Sequence, residues 1–151
     1  MIDGHQGAVR KIKRRIMRSR NIQVGHIYYV DFEPTEPGEF DKKHLAVVIK
    51  KNHDKITFVV IPMTSKDNGV GINKVPLGIL DCLPQNLQNK DSYAVIDQIR
   101  TVNSKRFFEL KDGGNTVDAI MPKEKMHVLY KAIIKDLLHD VPDEELREIF
   151  L

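Results

Sequence analysis

The sequence predicts an α+β chain, mainly β: a small barrel of short strands followed by a C-terminal helix. Three observations predict it. Between residues 25 and 101, short runs rich in β-branched and aromatic residues follow one another closely, separated by Pro, Gly, Asn and Asp. Beyond residue 121 the apolar residues recur at threes and fours instead. The chain has 151 residues, 41% hydrophobic and 30% charged, which suits one globular domain with appendages and a core that holds without staples. The expected division is a basic arm over 1–22, a barrel over 23–140 and a helical extension over 141–151.

Residues 10–18 place apolar side chains at 12, 16 and 17 beside Val9, a short helix with a narrow apolar stripe. Gly25 to Phe32 reads as a strand that ends at Pro34 and Pro37-Gly38, so a loop follows over 33–43. His44–Ile49 and Lys55–Ile61 are continuous apolar runs with a turn at 51–54, the pattern of adjacent buried strands. A polar, glycine-bearing loop from Thr64 to Asn73 precedes a weaker strand at Val75–Leu80, and Ser92–Thr101 reads as one further strand. Strand alternation sets Tyr93, Val95, Asp97 and Ile99 on one face, with Ala94, Ile96, Gln98 and Arg100 on the other. Asn103 is placed to cap a helical turn through Phe107 and Leu110, and Asp112-Gly-Gly-Asn is a turn. Met121-Pro122 opens a helix whose Met126, Leu129, Tyr130, Ile133, Ile134 and Leu137 form one face. A second short helix runs from Pro142 to Phe150, with Asp143, Glu144 and Glu145 favouring its N-terminal dipole.

Charge is uneven. Residues 1–20 carry seven basic side chains against one acid, while the whole chain is only +3, so a mildly acidic body wears a cationic arm. That asymmetry points to a polyanion, nucleic acid before membrane. The arm either touches phosphate backbones or is a solvated leader. If it binds, deleting 1–20 flattens the salt dependence of nucleic-acid binding and leaves the fold intact. One cysteine, Cys82, excludes an intramolecular disulfide or thiolate metal cage and reads as a small buried hydrophobe. No apolar stretch approaches the ~20 residues of a membrane helix. The basic N-terminus lacks the apolar segment of a secretion signal, so a cytoplasmic location without membrane association is expected.

Three ordered segments carry a resemblance. The first is Gly25 to Pro34, leading through Gly38-Glu39 to the strand at 45–49; the second is Val60-Ile-Pro-Met-Thr-Ser65. The third is Ser92 to Val102, with Asp97-Gln-Ile-Arg-Thr101 its most specific part, followed by Lys105-Arg106-Phe107. Over residues 24–138 the chain resembles the MazF/PemK family of toxin endoribonucleases. The resemblance implies an SH3-like barrel of the MazF/Kid/CcdB type, paired as a symmetric homodimer. It further implies single-stranded RNA in a groove across the dimer face and an antitoxin protein whose disordered tail blocks that groove. Cleavage in such proteins uses the 2′-hydroxyl of the RNA as nucleophile, leaves a cyclic phosphate and a 5′-hydroxyl, and needs no metal or other cofactor.

Such a reaction requires a base for the 2′-hydroxyl, positive charge or donors for the phosphate, and an acid for the 5′-oxygen. The family's threonine is present as Thr64, with Ser65 a second donor. Its arginine is replaced: His44-Leu45 stands where Arg-Pro is usual, after Lys42 and Lys43. His44 is therefore expected to transfer a proton and Lys43 to supply charge, the alternative being a degenerate member that does not cut. Glu39 matches the family's loop glutamate and is either a base or a nucleotide contact. Asp97 and Gln98 sit where family members contact bases. Arg100 is expected to form an ion pair that braces barrel or dimer. His5, His26, His53, His127 and His139 have no metal-site spacing, and Gly69-Val-Gly71 lacks the lysine of a phosphate loop. That loop is instead a candidate for moving over the groove. Two other readings compete: a CcdB-like gyrase inhibitor on the same barrel, and a nucleic-acid-binding module without catalysis.

Overall fold

The computed structural model describes residues 16–39, 42–71 and 73–150. Ten strands and two helices follow in order: β1 His26–Asp31, β2 Lys43–Lys51, β3 Thr57–Thr64, β4 Lys74–Gly78, β5 Ser92–Val95, β6 Arg100–Asn103, β7 Phe107–Phe108, β8 Leu110–Asp112, β9 Asn115–Val117, β10 Ala119–Ile120, α1 Lys123–Leu137 and α2 Asp143–Phe150. Eight strands form one antiparallel sheet in the order β10-β1-β2-β3-β5-β4, with β6 also on β3 and β7 also on β1; β8 and β9 make a separate hairpin. The sheet curls into a barrel that stays open along its edge. Ile49 is an extra residue on β2, since Val48 faces Val60 and Lys50 faces Val59. Such a bulge bends its strand and increases the local twist.

Alternation along the central strands produces two cores, one on each side of the sheet. Ile27, Val47, Ile61 and Met63 point to the side covered by α1 through Met126 and Leu129. Tyr28, Val30, Ala46, Val48, Phe58 and Val60 point to the other, where Phe32, Val102 and Phe107 complete the packing. Phe107 meets both Tyr28 and Phe58 edge-on, at 5.8 and 5.3 Å between ring centres, the aromatic arrangement that the ring quadrupole favours.

The strand expected over 92–101 is in fact two, broken by a 3-10 turn at Ile96–Gln98. Register explains the break. Ala94 faces Met63 and Arg100 faces Val60, so six residues of advance on one chain match three on β3. The turn absorbs the excess, and buried Ile96 pins it with its N–H on the Asn73 carbonyl at 3.0 Å. The predicted two-face alternation therefore ends at Val95; Asp97 lies exposed on a turn and Gln98 half-buried beside it. The helical turn after Asn103 is also shorter than expected, Ser104–Arg106 only. Asn103 does cap it, accepting from the Lys105 N–H at 2.9 Å. Phe107 leaves that turn because its ring is fully buried and its backbone pairs with Val30.

Most of the helix expected at 10–18 lies outside the described residues. Its last part is extended: Ile16 bridges Phe108, and the Met17 N–H donates to the Phe107 carbonyl at 3.3 Å. Met17 and Ile22 are buried in the second core, so the end of the arm is part of the barrel's packing. On α1 only part of the predicted stripe is covered. Met126 and Leu129 are buried, whereas Tyr130, Ile134 and Leu137 are 40, 49 and 59% exposed. No helix among the described residues is long and apolar enough to cross a membrane.

Candidate active site

β2 leaves the 32–42 loop at Lys43, and β3 ends at Thr64. The last paired positions between the two strands are Ala46 and Pro62. Beyond that point His44 faces Val30 of β1 and Thr64 faces Tyr93 of β5. Both residues, with Lys43 and Ser65, line one open cavity of about 410 Å³. The cavity floor is apolar, built from Leu45, Met63 and Leu83, so charges at its rim face a surface that does not compete for them.

The Thr64 hydroxyl accepts from the Lys66 N–H at 3.2 Å. This is the backbone-bonded strand-end hydroxyl that any threonine can adopt. The bond uses a lone pair and leaves the hydroxyl hydrogen to donate into the cavity. Lys43 stands on β2 opposite Asp31 of β1, and its Nζ lies 5.1 Å from the centre of the Phe108 ring. The aromatic contact steadies a cation whose stem is otherwise exposed.

Glu39, Asp97 and Gln98 do not line this cavity. Glu39 and Gln98 meet instead at the 33–39 loop, and Asp97 lies exposed on the turn that carries Gln98. Glu39 Oε1 accepts from the Glu36 N–H at 2.7 Å, and Gln98 Nε2 donates to the Gly38 carbonyl at 3.3 Å. Gly38 adopts φ +90°, a left-handed conformation that side chains disfavour, and so presents that carbonyl. The loop's first residues are held by Arg106 Nη1, which donates to the carbonyls of Asp31 at 3.1 Å and of Glu33. Four residues separate Glu39 from Lys43, a chain reach of at most about 14 Å. A short length of chain therefore joins the two groups.

Arg100 was expected to form an ion pair that braces barrel or dimer. Among the described residues it makes no ion pair. Its guanidinium packs over the Phe32 ring, 5.5 Å from the centre, and its Nη1 is buried without a hydrogen-bond partner. Among the described residues it braces the barrel by stacking.

Sequence reasoning passed over the opposite wall. Asn86, Asn89, Lys90 and Asp91 line the cavity from the segment between β4 and β5. Gln88 fixes that segment by donating from Nε2 to the Asp81 and Leu83 carbonyls at 3.0 and 2.7 Å. The signal was present as Leu83-Pro84 and Leu87, apolar anchors inside an amide-rich stretch. Lys66 adds a further cation at the rim. The 64–73 loop is braced internally: Lys74 Nζ donates to the Lys66 carbonyl and to Asn68 Oδ1, each at 3.1 Å. Among the described residues, no group of three or more His, Cys, Asp or Glu is placed to hold a metal ion.

The fold and this rim can be set beside known proteins. MazF from Deinococcus radiodurans superposes with a TM-score of 0.56 at 19% identity, over 76% of this chain and 94% of that one. A chain of the MazE–MazF complex from the same organism gives 0.51 at 19% identity, over 77% and 96%. At that identity the likeness is one of fold. Among curated proteins none matches significantly. The family described as PemK-like, MazF-like toxin of type II toxin-antitoxin system matches residues 23–147, most of the chain. Barrel, ordered motifs and family match agree, and the chain belongs to the PemK-like, MazF-like toxins of type II toxin–antitoxin systems.

Proposed function

We propose that this toxin is an endoribonuclease that cuts single-stranded RNA without a metal, and that Lys43, His44, Thr64 and Ser65 form its reaction site. The observation that carries the reading is the shared cavity: a titratable imidazole, a cation and two hydroxyls meet at the rim of two neighbouring strands. His44 takes the proton of the 2′-hydroxyl. The 2′-oxygen bonds to phosphorus and the bond from phosphorus to the 5′-oxygen breaks, leaving a 2′,3′-cyclic phosphate. The departing 5′-oxygen takes a proton from water at the open mouth, and His44 returns its proton to solvent. Lys43 and the Thr64 and Ser65 hydroxyls donate to the non-bridging oxygens, where charge accumulates in the transition state. Glu39, Asp97 and Gln98 contact the nucleotides that flank the cut. A cognate antitoxin covers this rim in the resting complex. The crystal structures of MazE with MazF support that partner, and the working form is a homodimer in the cytoplasm.

The test is to incubate the protein with a long RNA and EDTA and to map the ends. Cyclic phosphates and 5′-hydroxyls are expected. Intact RNA together with blocked gyrase supercoiling would overturn the reading in favour of a CcdB-like inhibitor. His44→Ala is expected to slow cleavage by about 10²–10⁴, the usual contribution of a proton-transfer group, with an unchanged unfolding midpoint. A His44→Ala protein that cuts at the parent rate removes His44 from the chemistry.

A further inference from the structure

On the side of β1 away from the cleavage cavity, residues 16–22 close a second concavity. Two hollows of about 330 and 500 Å³ share Met17, Asn21 and Glu109 and so form one trough. Its wall is rigid. Ile16 is bridged to Phe108, Met17 and Ile22 are buried in the core, and the 3-10 turn Ser19–Asn21 connects them. This anchored wall holds Arg18 and Arg20 exposed along the trough, and neither side chain has an ion pair or hydrogen bond among the described residues. Two long cations held at a fixed edge without counterions form a surface for an anion.

The floor is built differently. Tyr28 is buried, its hydroxyl accepting from the Gln23 N–H at 2.9 Å and donating to the Asn21 carbonyl at 3.3 Å. Over it lies His26, ring planes 14° apart and centres 6.3 Å apart. Asp118 Oδ1 sits 2.7 Å from His26 Nδ1, which orients the ring and leaves Nε2 without a partner among the described residues. The result is a fixed imidazole beside the Tyr28 ring, its side chain 16% exposed to the trough. The trough's acids are already engaged: Asp118 with His26, and Glu109 with the Thr116 hydroxyl at 2.7 Å and Lys111 at 3.8 Å. Five more basic residues, Arg10, Lys11, Lys13, Arg14 and Arg15, directly precede Ile16 in the chain.

We infer that this trough is a second contact site for single-stranded RNA, where Arg18 and Arg20 take backbone phosphates and His26 stacks a base. An aromatic platform beside a cationic edge is what sequence-tolerant binding of single strands requires. The inference rests on RNA being the substrate and adds where the flanking strand is held once the cut site is filled. Arg18 and Arg20 take no part in the chemistry; they lengthen the RNA that the protein engages.

The experiment compares a hexanucleotide containing one cut site with a twenty-nucleotide RNA carrying the same site, using the full chain. Binding is read by anisotropy across a salt series on RNA with a 2′-deoxynucleotide at the cut site, which lacks the attacking hydroxyl, and cleavage is read in parallel on the unmodified RNA. Arg18→Ala/Arg20→Ala is expected to weaken the longer RNA by about tenfold. It should lower the slope of log affinity against log salt by ~1.4, at 0.7 per phosphate on single strands. Hexanucleotide cleavage and the unfolding midpoint stay at parent values, and Arg18→Lys/Arg20→Lys keeps the slope. His26→Ala is expected to weaken the longer RNA by about tenfold, within the range for one stacked base, and His26→Phe to restore it. Unchanged affinity and slope in the double alanine variant would overturn the proposal. So would a trough that binds an acidic peptide and not RNA. If the parent protein cuts neither RNA, the endoribonuclease reading fails by itself, while the binding arm still decides the trough.

Discussion

Cys82 shows how far a single side chain can be read in advance. The sequence offers one thiol with no partner, and the structure packs it, half-buried, against the barrel core. Burial pushes its thiol up from the ordinary value, and the nearby Asp81 charge adds to the effect. At neutral pH less of it is thiolate than in a solvated cysteine. Alkylation by iodoacetamide should therefore be slow at pH 7, and its rate should climb with pH through a midpoint above that of a free cysteine. A midpoint at or below the ordinary value would show that the site is open. The same scale separates what was legible in the candidate site from what was not. Thr64 and His44 were named from the family resemblance alone, and the structure adds that the two side chains line one cavity. Arg100 makes a contact within the chain that its charge did not suggest, with the ring of Phe32. Asn86 and Asn89 escaped notice because a short polar segment advertises no period, and only its packing shows where it leads.

At the scale of elements, continuous apolar runs gave β1, β2 and β3 nearly as read, since buried strands must be apolar on both faces. Ser92–Thr101 carried the same signal and yet breaks in two, because register against β3 is a property of the pair and leaves no mark on one strand's composition. The β2–β3 turn makes a further prediction. Asp54 Oδ1 accepts from the N–H groups of Ile56 and Thr57, each at 2.9 Å, and the Thr57 hydroxyl donates to Oδ2 at 2.8 Å. The Ile56 N–H, then the Thr57 hydroxyl and N–H, hold the carboxyl below its ordinary value. A carboxyl whose folded value is lowered stabilises the fold above its unfolded value. That contribution is lost as pH falls through the folded value. Asp54→Ala should thus lower the unfolding midpoint at pH 7, and the gap to the parent should narrow by about pH 3. A gap that is constant or wider in acid would mean that the turn is held by something other than the carboxylate.

For the molecule as a whole, the question is where the basic arm ends and the barrel begins. Composition sets the boundary near residue 22, because the cationic run stops there. Packing sets it earlier. Met17 is 9% exposed and Ile22 2%, in the core of Phe32, Phe58 and Phe107, and backbone contacts at Ile16 and Met17 tie the segment to β7. A chain lacking residues 1–20 thus loses more than charge, contrary to the expectation that such a deletion leaves folding intact. Burial of a methionine side chain contributes about 1.5–3 kcal/mol. Relative to a chain lacking only 1–15, deletion of 1–20 should cost that much in urea unfolding. Both truncations remove the five basic residues that precede Ile16, and the longer one also removes Arg18 and Arg20. The salt dependence of RNA binding should consequently fall in two steps, whereas stability falls only in the second. Equal unfolding midpoints for the two truncations would show that the segment from Ile16 to Arg20 lies on the barrel without holding it.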